Sequence, residues 1–219
     1  MNPQELLYWV RSTGLQISAA VFVLGMSYRM LHLLLLGRRK SLAAPRGSEW
    51  GPGLRTMWRR SFVLPALSAR GKFTVVSGYT FHLGFFIALF FLSQHIDMLR
   101  AVLGFGWPAL PRSVIDISAI LSIAALIAPL VHRFMDPVKR LLSDFQDYLT
   151  WTLTFLPLLT GFLLLRGIGF DYTTLLTLHA LSIELLLIAI PFTKLAHMFS
   201  TFAARWYNGA IAGFKGVKV

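Results

Sequence analysis

Cysteine is absent from the 219 residues of this chain. Disulfide bonds, thiolate ligation of iron–sulfur clusters and covalent attachment of c-type haem all need cysteine sulfur, so the sequence excludes them. Acidic residues are also scarce, because nine Asp and Glu stand against 21 Lys and Arg. Any redox cofactor bound by this chain must therefore be held through histidine, methionine or tyrosine.

Charged residues make up only 14% of the chain, whereas hydrophobic residues make up 56%, and the mean hydropathy is +0.64. A water-soluble domain of this size could not cover itself with polar surface at that composition. A membrane-spanning helix needs about 20 apolar residues. Five segments meet this requirement, at about 15–36, 73–93, 114–131, 148–165 and 175–199. The sequence therefore predicts an all-α, polytopic bundle of five transmembrane helices, forming a single domain over residues 1–219 and in contact with membrane lipid.

The distribution of basic residues predicts the orientation of this bundle. Loop 37–72 carries nine basic residues and one acidic residue, Glu49, and sixteen basic residues in all fall on the same side as this loop, against four on the other. By the positive-inside rule, the N-terminus is expected outside, whereas loop 37–72 and the tail 201–219 are expected in the cytoplasm. This organisation is typical of a multi-pass protein of the bacterial inner membrane.

The net charge of +12 has two explanations that suit a membrane protein. Anionic lipid headgroups attract basic loops, and a basic loop can also bind a cytoplasmic protein. Nucleic acid, which a soluble protein of this charge would suggest, is not expected as a partner.

Histidine is costly inside a membrane span, so each histidine there is a candidate for function. Of the six histidines, His179 and His197 fall in the fifth segment, 18 residues apart. On a continuous helix this spacing is five turns, which places both rings on one face, about 27 Å apart along the axis. Such an arrangement suits two stacked haems, each with one axial ligand from this helix.

The second segment offers the partner ligands. His82 lies at a depth similar to that of His197, and His95 at a depth similar to that of His179. The sequence therefore predicts that His82 and His197 bind one haem iron and that His95 and His179 bind another. Small residues near His82 suit either the approach of a macrocycle or the packing of a second helix: Ser77, Gly78 and Gly84.

The position of His95 conflicts with a regular helix. It follows His82 by 13 residues, which rotates the side chain by about 220° on an ideal helix. We therefore expect a π-bulge or an unwound last turn that swings the ring of His95 round.

Three further residues are weaker candidates. His32 and His132 are expected at the cytoplasmic ends of spans one and three, where histidine usually hydrogen-bonds to lipid headgroups. Glu184, inside the fifth segment, suits a proton acceptor, a quinone contact or a hydrogen-bonded structural carboxyl group.

Two motifs carry a resemblance to a known family: FHLG at 81–84 and LHALSIELLLIAIPFTKLAHMFS at 178–200. They resemble the gamma subunit of respiratory nitrate reductase, a five-span dihaem cytochrome b, and related subunits of sulfur-metabolising membrane complexes. In that family two histidines of the last helix stand in the same relation, and Pro-Phe-Ser/Thr-Lys/Arg-Leu-x-His ends at the cytoplasmic ligand, as at 191–197 here. This chain departs from the family in one respect. The family's second-helix histidines commonly stand 10 residues apart, but the residue 10 positions after His82 is Leu92, and the next histidine is His95.

The resemblance implies a role for each histidine. His82 and His197 correspond to the ligands of the haem nearer the cytoplasm. His179 corresponds to a ligand of the outer haem, near which such subunits handle quinol.

These features predict a b-type cytochrome subunit of a respiratory oxidoreductase complex, with two haem b groups. It would move electrons between membrane quinone or quinol and a cytoplasmic iron–sulfur or catalytic subunit. The alternative left open by the sequence is a haem-free membrane anchor, or a small transporter subunit whose histidines line a proton path.

Overall fold

The computed structural model describes residues 2–35, 44–62 and 65–217, without the side chains of residues 65–70. Within these residues the chain is helical and contains no β-strand. Ten α-helices occur there: α1 (Pro3–Trp9), α2 (Leu15–Leu35), α3 (Trp50–Arg59), α4 (Pro65–Phe91), α5 (Ser93–Leu103), α6 (Arg112–Met135), α7 (Pro137–Leu141), α8 (Phe145–Arg166), α9 (Tyr172–Ala189) and α10 (His197–Phe214). A π-helix, Val10–Gly14, joins α1 to α2.

Within the described residues, five helices are long and apolar enough to cross a membrane: Pro3–Leu35, Gly71–Phe91, Arg112–Met135, Phe145–Arg166 and Tyr172–Phe192. The predicted all-α fold is thereby confirmed, with five helices of the length and composition that the predicted spans require. The first span begins twelve residues before the predicted start, because α1, the π-helix and α2 run on without a break.

Local sequence signals explain where several of these helices begin and end. Asn2 and Glu5 form a capping box at the start of α1, and Asp144 and Asp147 form another at the start of α8. Each box satisfies backbone amides that have no partner within the first turn. At the other end of α8, Gly167 adopts φ 65°, a left-handed conformation that glycine accepts without steric cost.

The fifth predicted helix is interrupted. α9 ends at Ala189, two short 3-10 turns follow over Ile190–Phe192 and Lys194–Ala196, and α10 begins afterwards. Pro191 has no amide hydrogen with which to continue the helix, and Thr193 is extended, with φ −122° and ψ −179°. The helical geometry inferred from the spacing of the histidines therefore does not apply here.

The prediction that His179 and His197 share one face of a continuous helix was wrong. His179 lies within α9, whereas His197 is the first residue of α10. A spacing of five helical turns fixes direction only if every intervening residue is helical.

Contacts between Cα atoms group the chain into two compact units. The first unit comprises Met1–Ser18 and Lys72–Leu186, and it contains α1, the π-helix, most of α4, α5 to α8 and most of α9. In this unit α6 packs directly against α8. The Trp151 indole of α8 donates a hydrogen bond of 2.9 Å to the carbonyl of Leu126, which fixes the register of the two helices.

The second unit comprises Ala19–Gly71 and Leu187–Val219. In it, α3 lies along α10, and small residues allow the backbones to approach closely. A Cβ atom added at Gly209 would lie 2.5 Å from the hydroxyl oxygen of Thr56, and one added at Gly213 would lie 2.5 Å from Cγ of Pro52. Part of loop 37–72 and part of the tail 201–219 therefore form one packed helical pair.

This seam gives a first prediction. Valine at Gly209 should separate α3 from α10, because overpacking of a close contact costs about 1–3 kcal/mol. Limited proteolysis of the purified protein should then cut segment 44–62 faster than in the wild type. The matched control is valine at Gly51 on α3, since no described atom lies within 4 Å of the Cβ position there. Equal cleavage rates in the two variants would contradict the assigned seam.

Candidate functional site

A break in the second span positions His95. α4 ends at Phe91, Leu92 is extended with φ −75° and ψ 131°, and α5 starts at the next residue. The indole of Trp107 donates a hydrogen bond of 2.7 Å to the carbonyl of Phe90, and the amide of Leu110 donates to that of Phe91. These bonds satisfy carbonyls that have no helical partner beyond the break. The irregularity expected near His95 thus takes the form of a break between two helices rather than a π-bulge.

The rings of His95 and His179 lie next to each other in the first unit. Their centroids are 6.2 Å apart, and the ring planes are inclined by only 13°. Both residues are half-buried. The two residues are far apart in sequence, so the pair is created by the packing of α5 and α9 rather than by local structure.

The separation of these rings matches a shared metal ion. A histidine nitrogen lies about 2 Å from the metal that it binds, and the ring centroid lies roughly one ångström further away. Two imidazoles on opposite sides of one metal therefore have centroids about 6 Å apart. Among the described residues no group of three or more His, Cys, Asp or Glu could hold a metal ion. A pair of histidines instead fits haem, in which the macrocycle supplies the remaining ligands.

The hydrogen bond at Nδ1 of His95 fixes its tautomer. Nδ1 lies 3.0 Å from the carbonyl oxygen of Ala88 in α4. A carbonyl oxygen accepts and never donates, so Nδ1 carries the proton and, in the neutral ring, Nε2 carries the lone pair. This is the form in which imidazole binds a metal through Nε2.

The tautomer of His179 follows from a second chain of hydrogen bonds. Its Nδ1 lies 3.2 Å from the hydroxyl oxygen of Thr160 on α8. The hydroxyl of Thr160 donates its only proton to the carbonyl of Leu156, at 2.7 Å, so it accepts from the ring. The hydroxyl of Thr160 on α8 thus orients the ring of His179. The lone pair of the neutral ring is again on Nε2.

Gly161 provides the space for this ring. A Cβ atom at position 161 would lie 2.9 Å from Cε1 and 3.2 Å from Nδ1 of His179. Any larger residue would push the imidazole away from α8. Thr160 and Gly161 were not identified from the sequence, because nothing local shows that span four faces this histidine. The only signal is a pair of small residues in an apolar segment.

His82 and His197 share the same Nδ1 pattern but belong to different units. Nδ1 of His82 lies 2.7 Å from the carbonyl oxygen of Gly78, and Nδ1 of His197 lies 3.0 Å from that of Lys194. By the same reasoning, the lone pair of each neutral ring is on Nε2. His82 lies in the first unit and His197 in the second, so their pairing stays a prediction from the sequence.

The glycines near His82 have different surroundings. A Cβ atom at Gly84 would collide with the hydroxyl of Ser122 and would lie 2.5 Å from the carbonyl oxygen of Ser118, both on α6. Gly84 therefore serves helix packing. No described atom lies within 4 Å of the Cβ position at Gly78, and Ser77 is buried. Gly78 thus leaves open space on α4 one turn before His82.

The two remaining histidines have partners that suit a structural role. The ring of His32 stacks on that of Tyr28, with centroids 6.1 Å apart. Nδ1 of His132 lies 2.8 Å from the ammonium of Lys139, and its ring stacks on Phe73. A lysine ammonium can only donate, so His132 accepts at Nδ1, unlike the four histidines described above.

An acidic centre on α6 was missed in the sequence. Asp116 is only 7% exposed and pairs with Arg112 at 3.7 Å and with Arg166 at 3.4 Å. An ionisable residue within a predicted span was the available signal. The two guanidinium groups offset the charge of the carboxylate, which explains how Asp116 can be buried at the end of two spans.

Outside the spans, hydrogen bonds from the hydroxyl and amide of Thr174 lower the pKa of Asp171, just before α9.

Comparison with known proteins gives limited information on identity. No known family matches the sequence, and no solved structure matches it. A protein of Nitratidesulfovibrio vulgaris, described only as "Protein", is 35% identical over 137 residues, which are 63% of this chain. The chain spans about 60% of the length of that relative. The relative's description carries no function.

Proposed function

We propose that this chain is the b-type cytochrome membrane subunit of a respiratory oxidoreductase complex. It transfers electrons between membrane quinone or quinol and a cytoplasmic iron–sulfur or catalytic subunit, through haem held by pairs of histidines. The observation that carries this proposal is the pair His95 and His179. Their parallel rings have the spacing of two ligands of one iron, and a break in the second span is what places them together.

The residues around this pair orient the two rings. The carbonyl of Ala88 and the hydroxyl of Thr160 each keep a proton on Nδ1, which leaves Nε2 of each ring as a metal ligand. Gly161 lets the His179 ring lie against α8. Haem supplies one-electron chemistry when it is bound, and the protein supplies ligands, orientation and an apolar environment.

His82 and His197 are proposed as the ligands of a second haem. The grounds are their expected depth in the sequence and the resemblance of their motifs to the cytochrome b family. Alanine at either position should lower the haem content by one haem per chain and should leave the spectrum of the His95–His179 haem unchanged. Pyridine haemochrome quantification with reduced-minus-oxidised spectra measures both effects. A His197→Ala protein with the full haem content would show that this assignment is wrong.

The helical pair α3–α10 is proposed as the surface that binds the cytoplasmic partner. Arg55, Arg59 and Arg60 are exposed, and Trp50 and Trp58 expose most of their surface. Exposed tryptophan and arginine are the residue types that most often dominate binding energy in protein interfaces. Anionic lipid can bind the same basic face, so the two roles need separate measurements.

Charge reversal tests this surface. The double variant Arg59→Glu, Arg60→Glu should lose the co-purifying partner and keep its haem, because rim charges govern association and its salt dependence. Arg11→Glu, Arg100→Glu is the matched control, since both residues are expected on the opposite side of the membrane. Unchanged co-purification in the first variant would refute the docking role.

Haem quantification on the purified full-length chain tests the proposal as a whole. We expect the absorption bands of low-spin haem and the electron paramagnetic resonance signal of bis-histidine iron. A chain without haem would instead support the anchor or transporter alternative.

A further inference from the structure

Glu184 is a buried carboxyl group to which the proposed electron transfer assigns no role. It lies in the middle of α9 and is only 7% exposed. Among the residues that the structure describes, its Oε1 has no hydrogen-bond partner, and no cation forms an ion pair with it. An isolated carboxylate at such a depth is very costly. The carboxyl group is therefore expected to carry a proton, because the neutral acid avoids the cost of burying a negative charge.

The neighbour of this carboxyl group is an irregular segment of the first span. A Cβ atom at Gly14 would lie 2.8 Å from Oε2 and 2.9 Å from Oε1 of Glu184. Gly14 is the last residue of the π-helix Val10–Gly14, in which the amide of Leu15 bonds to the carbonyl of Val10. π-Helices inside α-helices occur frequently at functional sites. Here the irregular turn and the glycine together make room for the carboxyl group against the backbone.

A cavity of about 480 Å³ lies along the same two segments. It is open to the surface and is lined by Gln4, Leu7, Tyr8, Arg11, Ser12 and Thr173. Thr173 lies opposite the start of α1, and Glu184, eleven residues later, lies opposite Gly14, so the first span and α9 run parallel. The cavity therefore ends within about one helical turn of Gly14. The polar side chains of Gln4, Arg11, Ser12 and Thr173 can hydrogen-bond water in the cavity, and this water can deliver a proton.

The charged and titratable groups of the two packed segments are few. Arg11 and Tyr8 are exposed and line the cavity, and Arg11 lies one turn before Gly14. Glu5, near the start of the first span, is exposed and forms the capping box with Asn2. On α9, Tyr172 is exposed at the first turn, and His179 contacts α8 and His95 instead. Asp116, the other buried carboxyl group of this unit, is ion-paired with two arginines. Each of the two buried carboxyl groups has one oxygen without a hydrogen-bond partner among the described residues, but only Asp116 has arginines beside it.

We propose that Glu184 is a proton-binding site within the membrane span and that it exchanges its proton with water through the cavity between the first span and α9. The transfer is a simple protonation, in which a hydronium ion in the cavity donates a proton to Oε1 or Oε2 of the carboxylate and becomes water. In the reverse step a water molecule accepts the proton and becomes hydronium. The site is independent of haem binding, and so it stands or falls separately from the proposed electron transfer.

Carbodiimide labelling gives a direct test. Dicyclohexylcarbodiimide is apolar and adds to protonated carboxyl groups, because the acid protonates the reagent and the carboxyl oxygen then bonds to its carbon. Mass spectrometry of the labelled full-length protein should find the adduct on Glu184 and not on the ion-paired Asp116. Equal labelling of the two residues would overturn the proposal.

Infrared spectroscopy tests the same site without a chemical probe. The chain has only three glutamates, Glu5, Glu49 and Glu184, so isotopic labelling of glutamate assigns the carboxylic acid C=O band without a variant. The band should shift with labelled glutamate and again in heavy water, and Glu184→Gln should lack it. Absence of the band in the wild type would overturn the proposal even if carbodiimide does not reach the site.

The cavity route has its own matched pair of variants. Phenylalanine at Ser12 should fill the cavity and slow the heavy-water shift at least several-fold. Phenylalanine at Thr13, which is exposed and does not line the cavity, should leave the rate unchanged. Equal exchange rates in the two variants would show that the proton reaches Glu184 by another path.

Discussion

Alanine at His95 and alanine at His179 should each remove the same haem. The ring centroids lie 6.2 Å apart, and the proposal assigns each ring one ligand position on a single iron, so neither ring alone should replace the pair. The haem content should fall by one haem per chain in either variant, and the double variant should lose no more than each single variant. Shared loss of this kind identifies a common site, because effects at independent sites would add.

Pyridine haemochrome quantification and reduced-minus-oxidised spectra measure this loss. His132→Ala is the matched control, since that ring accepts a hydrogen bond from Lys139 at the nitrogen through which His95 donates one. The control should keep the full haem content. Retention of every haem with unchanged bis-histidine spectra in His95→Ala would refute the pairing.

The existence of the spans followed from composition, but their ends did not. Apolar runs of sufficient length predicted all five spans, because the bilayer imposes that length on any spanning helix. The early start of the first span at Pro3 was missed, since the apolar run used to place the span begins only at about residue 15. The break after Ala189 was missed for a different reason. Proline within a membrane helix often only kinks the helix. The extended backbone of Thr193 completes the break, and the spacing of apolar residues along the sequence does not reveal it.

The candidate site was predictable only in part. His95 and His179 were paired from their expected depth, and the structure places their rings together. The inference that His179 and His197 share one face depended on an unbroken helix, and the structure shows that the helix is interrupted between them. Thr160 and Gly161 could not be predicted, since their roles arise from which helix packs against α9, and sequence periodicity does not specify neighbours.

Alanine at Gly84 should destabilise the first unit strongly, although it adds a single methyl group. Its Cβ atom would collide with the hydroxyl of Ser122 and would lie 2.5 Å from the carbonyl oxygen of Ser118. In a membrane the hydrophobic effect does not favour helix association, because lipid tails are as apolar as the side chains. Close packing at small residues therefore stabilises contacts between helices. The backbone of α6 cannot yield as a flexible side chain would, so we expect a cost of about 1–3 kcal/mol.

The same substitution at Gly78, six residues earlier on α4, provides the matched comparison. No described atom lies within 4 Å of its Cβ position, so alanine there should stabilise the helix by about 0.5–1 kcal/mol. Thermal unfolding in detergent should therefore shift downward for Gly84→Ala and slightly upward for Gly78→Ala. Adding Ser122→Ala to Gly84→Ala should recover part of the loss, because it removes one of the two colliding oxygens. Equal shifts for the two glycine variants would show that α4 and α6 are not in close contact at this point.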